Sequence, residues 1–120
     1  MARPRKYYDW ELPKSVVETV QAICSDYDRR ENAIKYSTIS GDVLERYVEL
    51  NSAIESALSE IAPEIREYML CDVATGRGYD FSPCTSFVSR RIYYLKKRKL
   101  IHDIAEKLYL IPKMSKVSPF

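Results

Sequence analysis

Arg90, Arg91, Lys96, Lys97, Arg98 and Lys99 place six cationic side chains within ten residues that contain no acid. Ile92, Tyr93, Tyr94 and Leu95 separate the two cationic clusters. At that density the available chemistry is polyanion recognition, because positive potential accumulates where phosphates can meet it. Ser86 and Ser89 lie one turn earlier, and their hydroxyls can donate to phosphates or base edges. Tyr94 can stack on a base or pack inward. The candidate nucleic-acid contacts are therefore Ser86, Ser89, Arg90, Arg91, Tyr94, Lys96, Lys97, Arg98 and Lys99. The charge is local: residues 84–120 carry nine Lys/Arg against two Asp/Glu, and residues 1–83 carry ten against fifteen. The formal net charge of +2 is thus a cancellation between a basic and an acidic part.

No other constellation has comparable chemistry. The chain lacks a Gly-rich phosphate loop, an H-E-x-x-H motif and paired metal-ligand clusters. His102 is the single imidazole, on a lysine-rich segment where it reads as a surface or edge residue. Cys24, Cys71 and Cys84 are far apart and form no C-x-x-C pair. They read as small buried hydrophobes and reduced thiols of a cytoplasmic protein. Cys84 at a helix start has no partner base. The sequence thus points to a non-enzymatic protein with no cofactor and no metal. No apolar run is long enough to span a membrane, and the basic start at Met1–Lys6 lacks the apolar stretch of a secretory signal. Two partners suit the cations. One is nucleic acid, double-stranded DNA first with RNA as a variant. The other is an acidic protein surface, which would make the chain an adaptor or structural component.

These residues need a scaffold, and its pattern is helical throughout. The 120 residues fit one domain, with three glycines and long runs of helix formers. Tyr8, Trp10 and Leu12 of an arm at residues 1–12 are expected to pack back on the helices, with residues 1–6 as a possible phosphate-touching extension. A first helix should begin near Pro13, burying Val16, Val20, Ile23 and Tyr27 at steps of four, three and four. Asp26–Glu31 reads as its solvated end. A second helix carries Val43, Leu44, Tyr47, Leu50, Ile54, Ala57, Leu58 and Ile61 at nearly heptad spacing. Ser40 or Asp42 would cap it, Glu45, Glu49, Glu55 and Glu60 would face water, and Asn51 sits beside the seam. Asn51 reads as a water-facing edge residue, with a buried, register-setting Asn as the alternative. Pro63 opens a third helix through Ile65, Tyr68, Met69, Cys71 or Asp72, and Val73, and Gly76 ends it. Phe81 is expected in the core and Tyr79 partly so.

From Ser82-Pro83 the pattern predicts one long basic helix over residues 83–109, then a loose tail at 112–120. Val88, Ile92 and Leu95 form one apolar line on it. Ile101, Ile104, Ala105 and Leu108 form a second, on nearly the opposite side. Either the helix bends near Lys97 or its far half meets another subunit. The second option predicts a homodimer through Ile101, Ile104, Leu108 and Tyr109. The fold expectation is an all-α bundle of about four helices with a long C-terminal helix.

The run Arg46-Tyr47-Val48-Glu49-Leu50-Asn51 through Leu58, followed by Ala62-Pro63-Glu64-Ile65-Arg66-Glu67-Tyr68, is similar to the helical lead-in of phage and prophage transcription regulators of Gram-positive bacteria. Gly78-Tyr79-Asp80-Phe81-Ser82 and Ser89-Arg90-Arg91-Ile92-Tyr93-Tyr94-Leu95-Lys96-Lys97 resemble their sigma-like turn and recognition helix. The resemblance implies a DNA-binding regulator in which residues 83–99 read the duplex, with Ser86, Ser89, Arg90 and Arg91 nearest the bases.

Overall fold

The structure is a computed structural model that describes residues 12–112. The expectations placed on Tyr8 and Trp10, on residues 1–6 and on the tail at 113–120 lie outside the described residues. Pro13 supplies the carbonyl that accepts the first amides of α1 (Lys14–Ser25), from Val16 and Val17. Val20 and Cys24 are buried on its inner face, with Val16, Ile23 and Tyr27 beside them, as the spacing predicts. The acidic and basic run after it is not a frayed end. Asp26 breaks α1, and α2 (Tyr27–Lys35) starts at once, its Arg30 amide donating to the Asp26 carbonyl. The expected four main helices therefore become five among the described residues.

α3 (Gly41–Leu58) buries Ala53, Ile54, Ala57 and Leu58. Ser40 precedes it in extended backbone without a side-chain cap bond. Its first turns overhang the core, so Val43 is exposed despite its apolar register. α4 (Pro63–Thr75) buries Ile65, Met69, Asp72 and Val73, whereas Tyr68 is on the surface. Gly76, at φ +76°, ends α4 in the left-handed conformation that a side chain resists.

The long basic helix does not start at Pro83. Residues 76–89 instead make two 3-10 turns, Tyr79–Phe81 and Pro83–Ser86, and α5 spans Arg90–Lys107. The Ser82 hydroxyl accepts from the Cys84 amide and starts one turn only. In a continuous helix the Val88 carbonyl would take the Ile92 amide. Here the Tyr79 hydroxyl donates to the Val88 carbonyl at 2.8 Å, and the Ile92 amide goes to the Ser89 hydroxyl at 3.3 Å. That exchange makes Ser89 the cap of a new helix. Phe81, expected inside, is 79% exposed on the first turn.

α5 also has one apolar line rather than two. Tyr93, Leu100, Ile104 and Leu108 are all buried at steps of seven, four and four. Lys97 falls on the same line and hides its continuity in the sequence. Ile92, from the expected first line, is exposed. Ile104 and Leu108, expected between subunits, lie in the chain's own core, Ile101 is partly buried against it, and Tyr109 is 81% exposed. Ile104 and Leu108 are therefore interior and are not offered to a second chain. One continuous core joins α1, α3, α4 and α5. No described helix is long and apolar enough to cross a membrane.

A single buried line sets the ranking of core substitutions. Ile104→Ala should lower the unfolding free energy by about 2–5 kcal/mol in urea titrations. Ile92→Ala should lower it by less than about 1 kcal/mol, as at ordinary surface positions. Equal losses would restore the two-line reading.

Candidate nucleic-acid interface

The scaffold under the cations is a buried carboxylate. Asp72, on the inner face of α4, is fully buried. Its Oδ2 accepts from the Tyr93 hydroxyl at 2.7 Å, and its Oδ1 accepts from Arg77 Nε at 2.6 Å. A buried ion persists only when paired and hydrogen-bonded, so these contacts fix α5 and residue 77 against α4. Lys97 Nζ donates to the Arg77 carbonyl at 2.6 Å and lies 5.6 Å from the centre of the Tyr93 ring. Burial lowers the Lys97 ammonium below the ordinary lysine value, against the pull of Asp72. Burial first, then the hydrogen bond to Asp72, raises the Tyr93 phenol well above its ordinary value.

Tyrosines close the same junction. The Tyr79 and Tyr93 rings meet edge-on at 5.3 Å, and those of Tyr93 and Tyr94 at 5.0 Å. The Tyr94 hydroxyl accepts from the Tyr79 amide at 3.1 Å. A β-carbon at Gly78 would come within 3.0 Å of that oxygen, so the close approach suits glycine there. Arg90 pairs with Asp80 and lies over the Tyr79 ring at 5.2 Å.

The nine predicted contacts therefore separate. Ser86 is exposed but sits on the second 3-10 turn, off the helix. Ser89 uses its hydroxyl as the helix cap. Tyr94, Arg90 and Lys97 hold residues 76–89 onto α5. Lys99 pairs with Asp103 at 2.9 Å. Arg91, Lys96 and Arg98 have no acid partner among the described residues.

At about 100° per residue, Arg91 and Arg98 share one line and stand roughly 10 Å apart along the axis. Lys96 lies about 140° around the helix from Arg91, with Leu95, Lys99 and Ile92 between the two edges. Cations thus flank an outer face whose middle is partly apolar. Beyond Lys99 the face becomes acidic, with Asp103 and Glu106. Apart from Lys107 in the last turn, the cations of α5 lie in its first three turns.

The acids of α3 do not meet these cations. Glu49 pairs with Arg46 at 2.6 Å, and Glu55 accepts from the Tyr27 hydroxyl at 2.6 Å. A second polar centre was expected at the surface and is interior. Arg30 is 3% exposed and Asn51 is 2% exposed. Arg30 Nε donates to Asn51 Oδ1 at 2.7 Å, and Arg30 Nη2 donates to the Ile23 carbonyl at 2.5 Å. Asn51 Nδ2 donates to Glu31 at 3.0 Å and to the Tyr27 carbonyl at 3.3 Å. Asn51 is thus buried rather than a water-facing edge residue. A polar amide within an apolar heptad seam was the available signal.

His102, read as a surface residue, is 7% exposed. Cys24 and Cys84 are buried as expected, but Cys71 is exposed. Burial pushes the Cys24 thiol up to about 12, which leaves it a poor nucleophile at neutral pH. No family model, no curated protein and no solved structure matches this chain.

Tyr93→Phe removes one donor from a buried carboxylate and should lower stability by about 1–3 kcal/mol at neutral pH. The phenol's folded value lies above its unfolded one. Its stabilising contribution is complete below the ordinary value of 10.0 and is lost as pH rises beyond it. Denaturant midpoints measured between about pH 8 and 11 should therefore fall more steeply for the native chain than for the variant. Parallel curves would show that Tyr93 does not carry this linkage.

Proposed function

We propose that this chain is a non-enzymatic nucleic-acid-binding protein that docks the first three turns of α5 against phosphates. The observation that carries the reading is the placement of Arg91, Lys96 and Arg98. They stand without acid partners among the described residues and flank both edges of one helix face. A helix about 10–12 Å across fits a major groove about 12 Å wide, where cations on its two edges meet phosphates of the two strands. Ile92 and Leu95 then face the base edges, where apolar contact favours thymine methyl groups. Double-stranded DNA is the preferred ligand on this geometry.

The finer reading is a phage-type transcription regulator, acting as a homodimer in the cytoplasm. It rests on the resemblance of residues 46–97 to the regulators of Gram-positive phages and prophages. Residues 76–89 are longer than the tight turn of a regular helix-turn-helix. In this reading α5 is braced by the Asp72 junction in place of a short preceding helix. The adaptor reading needs the α5 cations to meet an acidic protein surface. Of the α3 acids that could model such a surface within this chain, Glu49 and Glu55 bond elsewhere.

Electrophoretic titration of duplex DNA against RNA at two salt concentrations tests the proposal. Three phosphate contacts predict a salt slope near −0.9 per contact, roughly −2.7 on logarithmic axes for duplex DNA. Arg91→Ala with Arg98→Ala should weaken binding and reduce that slope by about 2. Lys99→Ala should change both less. Absence of binding at low salt, or binding indifferent to salt, overturns the proposal.

A further inference from the structure

We infer that the cleft lined by α1, the start of α2, the end of α3 and α4 binds a small organic cation with an apolar body. The cleft encloses about 660 Å³, within the range of roughly 300–1,000 Å³ found for small-molecule sites. The sequence builds it at the break that Asp26 makes between α1 and α2. Cys24 lines it from the first helix and Tyr27 from the second. Leu70 and Ala74 line it from α4, one turn apart, and Leu58 from the last turn of α3. Cys24 and Leu58 are buried, and Tyr27, Leu70 and Ala74 are partly so. These five side chains make an apolar interior that suits a ring or a short hydrocarbon chain.

Charge sets the sign of the ligand. Asp28, Glu55 and Glu67 line the same cleft and are exposed, so carboxylates stand at its mouth. Arg66 also lines it, and three carboxylates against one guanidinium give the cleft a formal charge of −2. Arg66 Nε and Nη2 both donate to the Ile61 carbonyl, at 3.2 and 2.7 Å, which ties the guanidinium to the backbone. Asp28 and Glu67 form no ion pair with another described residue. The Tyr27 hydroxyl donates to Glu55 at 2.6 Å. Burial first, then that bond, raises the phenol above its ordinary value, so Tyr27 presents a neutral ring of the kind that attracts cations. An anion would meet net repulsion here, and a neutral ligand would leave the carboxylates unused. No group of the described residues has the arrangement of a metal site, so the cation is organic. No residue of α5 lines the cleft, and the inference does not depend on what α5 binds.

Equilibrium dialysis of the full chain against three indoles of similar shape is the test, run without nucleic acid so that its outcome is separate from the DNA titration. Tryptamine carries an ammonium group, tryptophol a hydroxyl and indolepropionate a carboxylate. Tryptamine should saturate one site and bind roughly five-fold or more tightly than tryptophol, with indolepropionate weakest. Ethylamine, which has the charge without the ring, should not displace it at equal concentration. Asp28→Asn and Glu67→Gln, each checked for native helical circular dichroism, should weaken tryptamine binding about two- to five-fold, the scale of exposed charge pairs. Both should leave tryptophol binding unchanged. Cys71 gives a readout on the unaltered chain, because it lines the cleft and is exposed while Cys24 and Cys84 are buried. Saturating tryptamine should slow its alkylation by iodoacetamide several-fold. No saturable tryptamine binding, equal affinities for tryptamine and tryptophol, or a Cys71 rate indifferent to tryptamine overturns the inference.

Discussion

A carboxylate without water organises this molecule. Asp72 is fully buried, so its charge must be satisfied from within the chain. Tyr93 from α5 and Arg77 from the segment after α4 supply the hydrogen bonds. The Arg77 carbonyl in turn accepts from Lys97, one turn along α5 from Tyr93. Three pieces of chain with little regular structure between them are thereby held in one arrangement. Removing either partner leaves a charge or a carbonyl to desolvate alone, which is why the junction behaves as a unit.

The same junction divides the basic segment by task. A row of cations looks uniform in sequence, since each side chain has similar charge and reach. In the fold, Lys97 is drawn inward to a carbonyl, Arg90 onto Asp80 and the Tyr79 ring, and Lys99 onto Asp103. Arg91, Lys96 and Arg98 are left on the outer face because their helical positions turn them away from α4. The structural cations stiffen the helix that presents the others. The arrangement gives α5 a fixed orientation at the cost of half its mobile charge.

Much of the helical organisation was legible. Pro13, Pro63 and Gly76 mark boundaries because proline lacks an amide and glycine tolerates positive φ. The stripe of Val16, Val20 and Ile23 needs only the helical period. The misses have a common origin in polar groups that found partners far along the chain. Arg30, anchored on Asn51, belongs to α2 where the sequence suggested a solvated helix end. Asn51 went inside because Arg30, twenty-one positions away, reaches its amide. Phe81 went outside because Asp80 and Tyr79 are committed to α5. Lys97 masked the single apolar line of α5, since a lysine at a buried register reads as a break until its carbonyl partner is known.

The sequence by itself determined that the chain is helical, where most helices begin and end, and that its positive charge collects in one segment. Those are properties of period, backbone chemistry and composition, and they act over a few residues. Only the tertiary structure decided where α5 starts, which face of it is buried and which cations remain available. Each of those outcomes turns on a hydrogen bond between residues from different elements: Tyr79 with Val88, Tyr93 with Asp72, Lys97 with Arg77. Such a bond has a large value only where water is excluded, and exclusion is a property of the assembled core rather than of any local stretch of chain.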